Sequence, residues 1–462
     1  MTMSRRHGPD LLGTWPAATT PLRSKLDRLT PDGVYFKRRP LLTAAQSGGV
    51  HSPCQAKRSK QTRALLTRDM RHPTHPQMPS AESGLARDAI EPRLLDLLLK
   101  KQVRRKLGIY IPKTAEEIAN GVLRLFKLHG IDARISNVRR MGGGASKEQF
   151  LFDADGAVGP EFLRCVLRMD PREGIIETCR RREAQALLAV AERVPVPPLL
   201  CVDGDGETMG QPVMVTGFVG GVTKPSSGSS GPSGLGTIFG PRISAALTPQ
   251  FIQSLVAVHA THIGEAGLDD FALPRLGTTD AAMWQVNYWT KVRELDGTAA
   301  HPLLTLAETW LYDHLPVCSA PVLLHGDYRM GNFLFDEESL RITAILDWEL
   351  SHIGDFHEDL AYSFDPLFGM RTPAGEHLVG SMFTTDHLVE CYQTMTGRSI
   401  DAAVLHWYRV LTSYKLIIMN HTSSIIAARD GTNHQNALLA YLSACTAGMS
   451  DTLCKLLAEV ME

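Results

Sequence analysis

No apolar run in the 462-residue chain approaches the roughly 20 residues needed to cross a bilayer. Residues 1–6 are not followed by the apolar core of a secretory leader. Cys-x-x-Cys pairs are absent, and the eight cysteines are scattered from Cys54 to Cys454. So few thiols in so long a chain argue against a disulfide framework and for a reducing, cytoplasmic setting. An excess of one charge is missing too. The 48 Lys and Arg against 49 Asp and Glu leave −1, which argues against a chain-wide nucleic-acid footprint. No Gly-x-Ser-x-Gly elbow occurs, which speaks against an α/β-hydrolase. His352 and His357 lack the i, i+4 spacing of a helical zinc site. Nor is there a repeat of 20–50 residues. With 44% apolar residues the chain can bury a large core, as about three domains or one bilobal unit.

The charge that is present is uneven. Residues 1–80 carry fourteen Lys or Arg against four acids, Asp10, Asp27, Asp32 and Asp69, leaving 34 basic and 45 acidic residues beyond them. Pro and Gly interrupt this segment and no helical or strand period is sustained, so 1–85 reads as a disordered tail. Met70 or Met78 would serve as a later start; the competing reading is a nucleic-acid or membrane-touching arm, or a targeting peptide. Order is expected from Pro92, with an amphipathic helix over 92–106. Thr114 and Glu117 predict a capping box, and Ile118, Val122, Leu125, Phe126 and His129 a stripe ended by Gly130. Strands follow at 135–141, from 150, at 163–168, 199–202 and 213–219, with a helix at 178–192 bearing Ala184, Leu187, Leu188 and Ala191. Residues 224–241 hold thirteen Gly, Ser or Pro and read as a flexible insertion. Beyond it the chain turns helical, interrupted by strand-like runs at 322–324 and 342–346. Leu438, Leu442, Cys445, Met449, Leu453 and Leu457 line one final helix.

The chemistry lies in Leu324-His325-Gly326-Asp327-Tyr328-Arg329-Met330-Gly331-Asn332 and in Ala344-Ile345-Leu346-Asp347-Trp348-Glu349. Phosphoryl transfer from ATP needs a carboxylate to orient or deprotonate the nucleophile. It also needs hard oxygen ligands for Mg²⁺ and a cation to offset phosphate charge. Asp327 and Asn332, five apart on one loop, offer the base and a neutral metal ligand; Asp347 offers the anionic one. The spacing matches the kinase pattern H-R-D-L-x-x-x-N followed by a metal-binding acid. Arg329 has two readings, a γ-phosphate contact or a salt bridge within the loop. Glu349 is a second candidate metal contact or a backbone partner.

These segments, with Ile353-Gly354-Asp355-Phe356-His357-Glu358-Asp359-Leu360-Ala361, resemble the aminoglycoside-phosphotransferase/choline-kinase family. They are most similar to its phosphotransferase branch related to the kinase domains fused to acyl-CoA dehydrogenases. The resemblance extends over roughly 115–430. It implies an α+β, protein-kinase-like bilobal fold, with a small β-rich N-lobe (86–217 with leading helices) and a larger helical C-lobe (218–462). It also implies ATP and Mg²⁺ between the lobes and a small-molecule hydroxyl acceptor. Nucleic acid and membrane are not expected partners. In this comparison Gly143, Gly144 and Ser146 lie in the glycine-rich turn and Arg168 is the phosphate-contacting strand residue. Glu183 is its helical partner, and Thr216 and Phe218 offer hinge backbone groups to adenine. His325 is expected to bond backbone carbonyls, and Asp355 and Asp359 to brace the loop, with a helix N-cap or first-turn acid as the competing reading for each. Bland readings compete: Arg168 on a surface strand, Glu183 on a solvated helix face.

Three positions depart from the family. Arg168 stands for the usual Lys, Phe356 for a frequent Pro, and the 224–241 insertion lengthens the entry to the large lobe. None removes Asp327, Asn332 or Asp347, so an Mg-ATP-dependent O-phosphotransferase is expected. A nucleotide-binding sensing module without significant transfer is the alternative. A protein kinase fits less well, because no Ala-Pro-Glu follows Asp347.

Overall fold

The computed structural model describes residues 89–142, 146–156, 162–226, 237–297 and 300–461. The basic segment 1–85, Gly143, Gly144 and residues 227–236 of the insertion lie outside the described residues.

The first helices are α1 (Pro92–Arg105) and α2 (Ala115–Leu128). Thr114 caps α2: its hydroxyl accepts the Glu117 N–H at 3.2 Å, and the Glu117 carboxylate accepts the Thr114 N–H at 2.7 Å. This reciprocal pair satisfies two of the amide donors a helix start leaves free. Ile118, Val122, Leu125 and Phe126 are buried against a five-stranded antiparallel sheet. Its strands are β1 (Arg134–Arg140), β2 (Glu148–Asp155), β3 (Phe162–Met169), β4 (Leu199–Asp203) and β5 (Val213–Gly217), ordered β1-β2-β3-β5-β4. Alternation turns Phe150, Phe152, Cys165, Leu167, Val213 and Val215 toward α2.

Between β3 and β4 runs α3 (Arg180–Val190). Its burial departs from a simple stripe. Ala184, Leu187 and Val190 are buried, Ala191 is exposed, and the polar first half, Arg180 to Gln185, is buried as well. The reason is its position. Ala184 and Leu187 belong to the same core as Phe251, Leu324 and Tyr328 of the following lobe, so α3 has packing partners on both sides.

The helical lobe begins with α4 (Pro241–His259), α5 (Asp280–Leu295) and α6 (Pro302–Asp313). The ends of the insertion are anchored rather than loose. Ser226 N–H donates to Glu337 at 2.8 Å, and the Phe239 ring packs on Phe335 at 5.9 Å. The strand-like runs expected at 322–324 and 342–346 do not pair with each other. β6 (Val322–Leu324) pairs with β9 (His352–Gly354), and β7 (Phe333–Asp336) forms a hairpin with β8 (Arg341–Ile345). These two short ladders frame the polar loop between β6 and β7. Helices α7 (His357–Ser363), α8 (Thr385–Thr396), α9 (Ala402–Ile417), α10 (Ser424–Asp430), α11 (Asn436–Ala444) and α12 (Thr446–Met461) complete the lobe. The single final helix read from the sequence is two helices, broken at Cys445. There the Ser443 and Thr446 hydroxyls donate to the Ala440 and Ser443 carbonyls at 2.7 and 2.5 Å, competing with the helical ladder. Among the described residues no helix is long and apolar enough to cross a membrane.

A buried ion cluster ties α7 to α9. Lys415 Nζ lies 2.9 Å and His352 Nε2 3.1 Å from the Glu358 carboxylate. Burial opposes the Glu358 charge, but Lys415 and His352 outweigh it and hold the carboxyl at about 2, below the ordinary 4.5. A depressed acid contributes stability above its unfolded value and loses it as pH falls through the folded one. Glu358→Gln strands the buried ammonium of Lys415. We expect a loss of about 3–5 kcal/mol at pH 7 in denaturant unfolding. The gap to wild type narrows as pH drops below about 4.5. A constant gap would contradict the assignment.

Candidate active site

Residues 324–332 hold their shape through the backbone. Gly326 has φ +81, and a Cβ there would sit 2.4 Å from the Leu350 carbonyl, so only glycine fits between His325 and Asp327. His325 uses both ring nitrogens. Nε2 donates to the Leu346 carbonyl at 2.9 Å, and Nδ1 accepts the Asp327 N–H at 3.2 Å. The ring is a structural tie, as expected. Asp359 on α7 accepts the His325 and Gly326 N–H groups, each at 2.8 Å, and His259 Nε2 at 3.1 Å. Burial would raise its pKa, but these donors hold it below the ordinary carboxylate range. Asp355 does something other than brace the loop. Its carboxylate caps the start of α7 through the His357 N–H at 3.0 Å and Nδ1 at 2.6 Å. His357 Nε2 in turn accepts the Asp401 N–H at 3.0 Å, so Asp355 fills the helix-start role that competed with bracing the loop.

On this frame Asp327 gathers three groups. Asn332 Nδ2 donates to its carboxylate at 2.8 Å and to its carbonyl at 2.9 Å; Arg329 Nε donates at 2.8 Å. The Tyr362 hydroxyl also faces it; burial and this carboxylate push the phenol well above its ordinary range. Arg329 therefore makes the loop salt bridge, with its guanidinium 5.0 Å from the Phe368 ring. With its amide nitrogen committed to Asp327, Asn332 keeps its carbonyl oxygen for another partner.

The residue before Asp347 is joined to the loop: the Leu346 N–H donates to the main-chain carbonyl of Asn332 at 2.7 Å. Asp347 itself is left-handed, at φ 66 and ψ 56, a conformation few non-glycine residues adopt. Its carboxylate bonds Arg168, which also pairs with Glu183 at 2.6 Å. Burial works against the Asp347 charge, but Arg168 more than offsets it and holds the carboxyl below the ordinary range. Neither bland alternative holds geometrically. The Arg168 side chain is 14% exposed and Glu183 1%. Arg168 Nε is buried without a hydrogen-bond partner among the described residues.

The phosphotransferase enzyme family profile matches residues 137–395, which contain this entire cluster. The chain belongs to the phosphotransferase enzyme family. The mouse acyl-CoA dehydrogenase family member 10 is 30% identical over 206 residues, 43% of this chain and 18% of its own length. The rat family member 11 is 29% identical over 266 residues, 54% of this chain and 32% of its own. The chain thus spans about a third or less of these curated relatives. A Ralstonia eutropha JMP134 crystal structure, provisionally assigned as an aminoglycoside phosphotransferase, superposes with a TM-score of 0.56. It is 21% identical and covers 74% of this chain and 98% of its own. The shared fold is the α+β, kinase-like bilobal one.

Several contacts of this phosphotransferase-family site escaped the sequence reading. Ser146 Oγ donates to Glu349 at 2.9 Å, so the glycine-rich turn touches the segment after Asp347. Burial, with Asp347 beside it, pushes the Glu349 carboxyl up to about 7. Lys147 lies 3.6 Å from Glu349 and 3.4 Å from Asp170, and Arg180 joins Asp170 at 2.7 Å. No local spacing signals these contacts. Tyr362 had one: it lies one helical turn after Asp359. At the hinge, Thr216 is paired with Val166 and Leu199 in the sheet. The Phe218 N–H donates to Arg164 O at 2.9 Å, so that amide already has a protein partner.

Proposed function

We propose that this chain is an Mg²⁺- and ATP-dependent phosphotransferase that moves the γ-phosphate to a hydroxyl of a small molecule. The observations that support the reading are the Asn332 side chain on the Asp327 carboxylate at 2.8 Å and the main-chain bond from Leu346, the residue before Asp347, to Asn332 at 2.7 Å. Their donor set fits a hard divalent cation: a carbonyl oxygen left over on Asn332 and a carboxylate kept ionised by Arg168. Asn332 and Asp347 would hold Mg²⁺, with Glu349 as a further oxygen. When bound, the ion supplies screening of phosphate charge.

The remaining roles belong to side chains already positioned. Asp327, oriented by Asn332 and Arg329, takes the proton of the acceptor hydroxyl. Arg168 offers its unpartnered Nε to phosphate oxygens while Glu183 fixes the guanidinium. Arg329, bound to Asp327, lies close enough to contribute positive charge to the transferring group. The turn containing Gly143 and Gly144, with Ser146, would approach the triphosphate, and backbone groups near Thr216 and Phe218 the adenine. A reducing, cytoplasmic setting suits the free described cysteines.

Arg168→Met removes a charged donor worth about 1.5–3 kcal/mol, so ATP affinity should fall roughly ten- to a hundredfold, with Arg168→Lys falling less. Titration calorimetry reads both; unchanged affinity in Arg168→Met would contradict the role. The acceptor is tested by γ-labelled ATP against hydroxyacyl thioesters, aminoglycosides, macrolides and amino alcohols. The curated relatives are named for acyl-CoA, and the proposed transfer needs a hydroxyl, so hydroxyacyl thioesters are tried first. Label appearing on a hydroxyl supports transfer. Nucleotide binding without metal dependence and without label transfer would instead favour a sensing module.

A further inference from the structure

A cavity of about 220 Å³ lies between α1, residues 107–113, the β3–α3 link and the turn before β5; Asp327, Asn332, Asp347 and Arg168 are not in its lining, and Lys147 on its wall also reaches Glu349 at 3.6 Å. Four cations line it, Arg104, Lys113, Lys147 and Arg172, against two carboxylates. Both carboxylates are already matched: Asp170 by Arg180 at 2.7 Å and Glu177 by Arg104. Two of the cations are not fully used. Lys113 makes no hydrogen bond or close ion pair among the described residues, and its charge acts at longer range on Glu117 and Glu148. Lys147, 2% exposed, holds its ammonium no closer than 3.4 Å to any carboxylate, a loose arrangement for a buried charge with three donors.

Two neutralising partners are missing as well. Thr178 Oγ1 and Glu177 Oε1 are buried in the lining without a hydrogen-bond partner among the described residues. Native interiors rarely leave such atoms orphaned; both residues line this cavity and also a smaller one of about 30 Å³ beside Gln285 and Trp289. The hydroxyl can donate to an anion. The carboxylate oxygen instead requires a donor, which a protonated phosphate oxygen has and a carboxylate anion lacks. Leu97, Leu107 and Ile111 add an apolar wall.

We propose that this cavity binds a phosphate monoester with a short apolar ester group, at a site that shares none of Asp327, Asn332, Asp347 or Arg168 with the nucleotide cleft. Lys113 and Lys147 hold the phosphate, Thr178 donates to it, Glu177 accepts from its P–OH, and the ester group lies along Leu107 and Ile111. This goes beyond the phosphotransferase reading and stands without it, since the test measures binding and not transfer.

Hexyl phosphate is the probe, on the full chain. Hydrogen exchange should show protection in residues 104–113 and 170–178. By calorimetry Lys113→Glu should weaken hexyl phosphate at least tenfold while melting at the wild-type temperature. Protection confined to residues 324–349 would overturn the separate site, as would undiminished binding by Lys113→Glu. Hexanoate binding as tightly would overturn the phosphate assignment, and hexan-1-ol doing so would overturn an anion site altogether. If Lys113→Glu does not fold, the exchange map of the wild type decides.

Discussion

Asp327→Ala is expected to lower kcat by roughly 10²–10⁴-fold, the range typical of a lost general base, while nucleotide affinity stays near wild type. The separation follows from what Asp327 touches. Its carboxylate bonds Asn332 and Arg329, and Arg168, the proposed phosphate ligand, is engaged elsewhere with Glu183 and Asp347. The frame of the loop does not depend on the carboxylate either. His325 and Gly326 are held by Asp359, and Gly326 fills a space that a side chain cannot enter. Asp327→Asn keeps the shape without the basicity and should be nearly as slow. Steady-state rates with calorimetric ATP affinities separate the effects. A large loss of nucleotide binding with modest loss of kcat would move Asp327 out of the base role.

Asp347→Asn is expected to weaken Mg-ATP binding about ten- to a hundredfold, the scale of one charged hydrogen-bonding ligand, and to affect metal-free ATP much less. Asn is the informative substitution because Asp347 sits at positive φ. Asn tolerates that conformation, whereas a β-branched residue would add backbone strain to the loss of charge. The variant also leaves Arg168 with Glu183 alone, so any gain in metal-free ATP affinity would report a guanidinium released toward phosphate. Equal losses with and without Mg²⁺ would show that Asp347 acts only through Arg168.

What could be read in the chain was local. The Thr114–Glu117 box is a three-residue pattern, and the five-residue step from Asp327 to Asn332 is set by one loop. Arg168 and Glu183 were paired through resemblance, and the structure brings them to 2.6 Å. Contacts made across the fold left no such trace. Ser146 meets Glu349 across 203 positions, Arg168 meets Asp347 across 179, and His259 reaches Asp359 across 100. These depend on how the lobes and short ladders pack, which periodicity does not encode. Asp355 shows the limit of carry-over: four residues before Asp359, it bonds the neighbouring His357, while Asp359 reaches the loop amides. The break at Cys445 shows another, since apolar spacing continued through a point where hydroxyls compete for the helical carbonyls.

The central claim is that Asp327, Asn332 and Asp347 form one metal-nucleotide site. A crystal structure of the chain with Mg²⁺ and AMP-PNP tests it most directly. The account predicts the ion coordinated by the Asn332 carbonyl oxygen and the Asp347 carboxylate, with Arg168 on phosphate and the γ-phosphate facing Asp327. Nucleotide bound elsewhere, or bound here with no metal between Asn332 and Asp347, would contradict it.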